Sequence, residues 1–195
     1  MTPVPSGVLA GTVAVTVTTE RWDAMDVAEL LADEFGRVRG VVHRVVEGLT
    51  PEQLAYRVDD DANSIAWLVW HLTRVQDDHV ADAFGVEQVW TSQGWSGRFA
   101  LPFPASDTGY GHGSPDVAAV TVTSGELLLG YHDAVHAQTV TQLAGLAPAD
   151  LDRIVDESWD PPVSLGVRLV SVTADDLQHA GQAAYVRGML SRRTD

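Results

Sequence analysis

The chain has 195 residues, of which 45% are hydrophobic, enough for one domain with a sizeable core. Twelve arginines are its only fixed cations, there is no lysine, and the formal net charge is -15. That balance argues against nucleic acid and anionic membranes as partners. The absence of cysteine excludes disulfides, thiolate ligands and a sulfur nucleophile of the protein's own.

Residues 1–22 read as an N-terminal extension outside the core, mobile, with Val13, Val15 and Val17 alternating with threonines at a strand-like period. Arg21 is its only basic residue, unlike the cationic start of a secretory signal. Residues 23–195 form the expected domain, and Met25, where the helical period begins, is a candidate initiator.

The first long helix is predicted from about Ala24 to Gly48, with Val27, Leu30, Leu31, Phe35, Val38, Val42 and Val45 at helical spacing. Thr50-Pro51 opens a short helix through Leu54, and Asp59-Asp60-Asp61 is a solvated loop. The second long helix starts at an Asn63 or Ser64 cap and reaches Phe84, ended by Gly85. Residues 86–113 read as irregular but carry Trp90, Trp95, Phe99, Phe103 and Tyr110. So aromatic a connection suggests a lid or a pocket wall. A short helix follows over Ser114 to Val120. The third long helix runs from a Ser124 cap to Leu143, and a helical turn spans Ala147 to Leu151. Trp159-Asp160-Pro161-Pro162 is a rigid connection into the fourth long helix, capped by Ser164 and reaching Leu190. Four long amphipathic helices make a four-helix bundle, and the long connection between the second and third permits a crossover. No apolar run approaches the roughly 20 residues that span a membrane.

Two pairs of potential metal ligands stand at i,i+4 spacing, which puts both members on one helix face. Asp175 and His179 lie on the fourth long helix, where His71 on the second could add a third ligand. Three protein ligands leave a coordination position open for chemistry. His132 and His136 lie on the third, and spacing alone slightly favours them, because two imidazoles suit zinc, nickel or iron. His79 is eight residues beyond His71, too far to share an ion with it. His43, His79 and His112 read as structural or exposed.

The run Trp67-Leu68-Val69-Trp70-His71-Leu72, followed far downstream by Asp175-x-x-x-His179-x-x-Gln182, resembles the DinB-like superfamily. That group includes mycothiol-dependent maleylpyruvate isomerase and the mycothiol and bacillithiol S-transferases. The resemblance covers residues 25–190 and implies an all-α four-helix bundle with a crossed connection. It also implies a divalent metal at His71, Asp175 and His179, with aspartate where the family usually has glutamate or histidine. Zinc leads, with nickel, iron and manganese as alternatives. The implied function is a metal-dependent transferase or isomerase that uses a low-molecular-weight thiol, mycothiol, on a small electrophile. Arg168, Gln182 and Arg187 would hold the thiol cosubstrate, with Arg74 a further candidate. Trp67 or Trp90 would wall the substrate pocket. The expected protein is cytoplasmic, with a homodimer as one option; mycothiol and the arginine-rich, lysine-free composition point to an actinobacterial host. The competing readings are a metal-dependent hydrolase or lyase that uses metal-bound water, and a non-catalytic ligand-binding bundle.

Overall fold

A computed structural model describes residues 25–192; the predicted extension at 1–22 lies outside them. The elements in chain order are α1 (Val27–Val46), α2 (Pro51–Leu54), α3 (Ile65–Phe84), α4 (Val89–Ser92), α5 (Trp95–Phe99), α6 (Ser114–Ala119), α7 (Gly125–Leu143), a 3-10 turn (Pro148–Asp152), β1 (Ile154–Asp156), β2 (Val163–Ser164) and α8 (Leu165–Ser191). The protein is therefore all-α in architecture, with one small antiparallel hairpin in which Ile154 faces Ser164.

Local chemistry sets the ends of the long helices. Asp26 and Glu29 form a reciprocal capping box at the start of α1. The Ser64 side chain accepts from Trp67 N, 3.1 Å away, at the start of α3. The Ser164 side chain does the same for Val167 N in α8. Ser124 precedes α7 but makes no side-chain cap bond.

In the bundle, α3 packs on α7 and α8, and α1 also packs on α7 and α8, so the chain's first two long helices are diagonal to one another. Leu143, at the end of α7, clusters with Val80 and Ala83 near the end of α3 and with Leu165 and Leu169 at the start of α8. At the other end, the end of α1 approaches the start of α7 at Gly125. There Arg187, late in α8, donates to the Val45 and Glu47 carbonyls, both at 2.9 Å. Hence α3 and α7 run parallel to each other and antiparallel to α1 and α8. Parallel neighbours cannot be joined by a tight turn, so residues 85–124 must return the length of the bundle. This is the crossover that the long connection allowed.

The crossover is pinned by buried polar chemistry. Asp77 on α3 accepts from the Val89 and Trp90 main-chain N–H groups and from the Tyr131 hydroxyl, each at 2.8 Å. Arg74, fully buried, stands 3.6 Å from the same carboxylate and donates to Gln88 Oε1 and Tyr131 Oη. Trp90, Trp95 and Phe99 gather around the Tyr131 ring. The first half of the 86–113 segment is thus core rather than lid. Trp90, expected as a pocket wall, is buried with the Arg74 guanidinium 5.0 Å from its ring centre, and with Trp70 and Phe103 it lines a cavity of about 190 Å³. Two short helices replace the irregular chain expected there.

The β-hairpin is the other departure. Strands of three and two residues are too short for alternation to register, and the Trp159–Pro162 connection is the loop that joins them. No helix among the described residues is long and apolar enough to cross a membrane.

Candidate metal centre

His71 lies in the first half of α3, on a helix that is buried over most of its length. Asp175 and His179 lie one turn apart on α8, the helix packed most extensively on α3. The bundle brings the three together: one ligand atom from each lies within 4.8 Å of the other two. The two imidazole rings meet edge to face at 4.8 Å. Among the described residues this is the one group of three or more such side chains in metal-binding proximity.

Hydrogen bonds settle which ring nitrogens face the cluster. His71 Nδ1 is 2.6 Å from the Thr108 carbonyl oxygen, which can only accept, so Nδ1 carries the proton and Nε2 keeps its lone pair. His179 Nδ1 donates to Gln182 Oε1 at 3.2 Å, and its Nε2 faces Asp175 Oδ1 at 3.6 Å. That separation is too long for a good hydrogen bond. The second carboxylate oxygen, Asp175 Oδ2, is buried with no hydrogen-bond partner.

The charges are coupled. Burial pushes the His71 imidazole below its usual pKa, and His179 acts in the same direction, against the Thr108 carbonyl. Burial also opposes charge on His179, but the contact and charge of Asp175, helped by Gln182, carry its pKa above the usual value. Asp175 is likewise penalised by burial, yet His179, His71 and His79 hold it below the ordinary carboxylate range. A neutral His71, an anionic Asp175 and a His179 drawn toward protonation form an N2O set whose charges balance through the His179 proton, which a divalent cation would displace. The unpartnered buried carboxylate oxygen, the inward lone pair of His71 and the one His179 would expose on losing that proton fit a divalent ion. Donors sharing zinc at about 2.1 Å stand roughly 3.4 Å apart, so the set would have to close by on the order of 1 Å to hold one.

Trp67 stacks on His71, with ring centres 4.5 Å apart, and lies perpendicular to the His179 ring at 6.0 Å. It forms a wall of the cluster. The arginines lie elsewhere. Arg168 is paired with Asp156 at 2.7 Å and reaches His79 Nδ1 at 3.3 Å, tying the hairpin to α8. Arg187 caps the end of α1, about 12 Å along α8 from His179 at 1.5 Å per residue. Arg74 is buried in the crossover network. The rival His132 is fully buried and donates from Nδ1 to Thr73 Oγ1, whose own proton goes to the Val69 carbonyl. Burial drives its pKa down to about 3.

His112, read from the sequence as structural or exposed, belongs to this neighbourhood. Trp67 Nε1 donates to His112 Nδ1 at 3.1 Å, and His112 Nε2 in turn donates to Asp107 Oδ2 at 3.2 Å. Its ring stacks over Trp70 at 5.8 Å. A signal was present in the sequence: Asp107-Thr108-Gly109 is an Asx-turn pattern, and Gly109, Gly111 and Gly113 space a histidine within an aromatic connection.

Fold and site together define a class: a helical bundle with a His/Asp/His centre between its second and fourth long helices. The model of the mycothiol-S-transferase family matches residues 30–191, and the chain belongs to that family. Among solved structures, a conserved protein of Enterococcus faecalis superposes with a TM-score of 0.78 at 30% identity, covering 84% of this chain and 96% of that one. No curated protein matches.

Proposed function

We propose that the protein is a metal-dependent transferase or isomerase that joins an external low-molecular-weight thiol, mycothiol, to a small electrophile. The observation that carries this reading is the three-donor cluster of His71, Asp175 and His179 with its unpartnered carboxylate oxygen, in a chain of the mycothiol-S-transferase family. Zinc suits the N2O donors; nickel, iron and manganese are compatible with them. A divalent cation held there would lower the pKa of a thiol and keep it as thiolate near neutral pH.

The chain's own residues position the reactants. With no cysteine, the sulfur must come from outside. One turn beyond His71 and His179 on the same α3–α8 seam lies a groove of about 410 Å³, lined by Leu68, Gln182, Tyr185 and Val186 among others. Gln182 Oε1 is committed to His179, which leaves its amide N–H groups to donate to a ligand in the groove. Leu68 and Val186 give an apolar floor, and Tyr185, 67% exposed, offers a ring face. No charged side chain lines the groove. An uncharged, hydroxylated thiol body therefore suits it better than a peptide thiol carrying carboxylates, which the -15 chain would repel. Gln182 and the groove take the role expected of Arg168 and Arg187.

Metal analysis of native and variant protein tests the site. We expect one divalent ion per chain, lost in His71→Ala and in His179→Ala and weakened less in Asp175→Ala. A site emptied by His132→Ala and His136→Ala but not by His71→Ala would place the metal elsewhere and overturn the reading.

A further inference from the structure

We propose that Asp107 is a positioning residue for His71: it folds the 107–112 turn so that the Thr108 carbonyl meets His71 Nδ1–H and leaves Nε2 facing Asp175 and His179. A neutral imidazole can carry its proton on either nitrogen, and only one form presents Nε2 as a donor atom. The tautomer of His71 is set by one contact, the 2.6 Å bond to Thr108 O. What holds that carbonyl in place is Asp107.

Besides its own N–H, which donates to the Pro104 carbonyl, Asp107 makes three connections. Its Oδ1 accepts from Gly109 N at 2.8 Å, closing a turn around Thr108. Its Oδ2 accepts from His112 Nε2. Its main-chain oxygen accepts from Arg74 Nε at 3.1 Å, so the turn is anchored to the fully buried guanidinium of α3, the helix that carries His71. Gly109 then lies so close that a Cβ there would stand 2.8 Å from His71 Nδ1. The turn and the imidazole fit with no spare room.

The Asp107–His112 pair looks like a catalytic dyad, but its bonding rules that out. His112 Nδ1 accepts from Trp67 and Nε2 donates to Asp107, so neither nitrogen is free to take a proton from a ligand. The chain Asp107–His112–Trp67 ends instead on the indole stacked against His71. Asp107 thus braces the imidazole twice: at its Nδ1 through Thr108, and on its face through His112 and Trp67. Outer partners of this kind fix ring orientation in metal sites and change metal affinity when removed.

The consequence for metal rests on the proposed metal centre; the tautomer does not. The test therefore has two readouts: 15N NMR of the His71 imidazole in metal-free protein, and zinc affinity by competition with a chromophoric chelator. Wild type should show a single Nδ1–H tautomer. Asp107→Ala should show a tautomer mixture and bind zinc roughly ten- to hundredfold more weakly. Asp107→Asn, which keeps an acceptor for Gly109 N–H and loses the one for His112, should fall between. Val42→Ala, a buried truncation in α1 remote from the turn, controls for loss of stability and should change neither readout. A single Nδ1–H tautomer retained in Asp107→Ala overturns the proposal. So does an equal loss of zinc affinity in Val42→Ala. If wild type binds no zinc, the metal reading fails while the tautomer comparison still decides the role of Asp107.

Discussion

Gly109→Ala is the sharpest perturbation the structure offers. Gly109 sits at φ +89°, where an L side chain costs about 1–2 kcal/mol. Its added Cβ would also stand 2.8 Å from His71 Nδ1 and 2.9 Å from Trp70 Cζ3, closer than real Cβ contacts come. Neither neighbour can yield cheaply. Trp70 is buried in the core, and His71 is held by Thr108 and by the Trp67 stack. Overpacking of this kind costs about 1–3 kcal/mol, so the total loss is about 2–5 kcal/mol. Gly111 supplies the comparison: φ is +77°, with nothing within 4 Å of its added Cβ, so Gly111→Ala should carry the backbone cost alone. Urea denaturation of the two variants in metal-free form measures the difference, expected at about 1–3 kcal/mol. Zinc affinity should fall in Gly109→Ala and hold in Gly111→Ala. Equal losses in the two variants would refute the claim that the turn packs tightly on His71.

Asp77→Ala should cost about 3–5 kcal/mol, because it strands the buried Arg74 guanidinium and releases the Val89 and Trp90 N–H groups; urea denaturation measures the loss, and limited proteolysis should then cut within 86–113. His132 predicts a pH dependence. Its folded pKa of about 3 lies below the ordinary 6.5. Above pH 6.5 the group is neutral in both states; as pH falls below that, the unfolded chain takes up the proton first, and stability drops by about 1.4 kcal/mol per unit. Between pH 6.5 and 5 that is about 2 kcal/mol, with His71, His79 and His136 adding in the same direction and His179 opposing. His132→Gln should flatten the slope of denaturation free energy over this window, and an unchanged slope would refute the assignment.

The long helices were legible because each carries its signal locally. An apolar stripe at helical spacing marks them without tertiary information, and a cap at Ser64 or Ser164 sharpens the start of two of them. The i,i+4 pair Asp175/His179 was legible for the same reason. Its convergence with His71 came from the family resemblance rather than from spacing, because helix packing decides which faces meet; spacing alone leaned toward His132, which proves to be a core imidazole bonded to Thr73. The partners of the arginines were not legible, because a sequence gives their charge and not their contacts: Arg168 is matched by Asp156 and Arg187 by main-chain carbonyls. His112 stayed hidden because its role depends on Trp67, 45 residues away along the chain.

Thiol-dependent turnover with metal-depleted and zinc-reconstituted protein tests the central claim most directly. A small electrophile is supplied with mycothiol, with an anionic thiol such as glutathione, or with water alone. The account predicts conjugation that requires zinc, that is fastest with mycothiol, and that is abolished in His71→Ala and His179→Ala. Zinc-dependent turnover in water alone, with no gain from any thiol, would contradict it and assign the centre to hydrolysis.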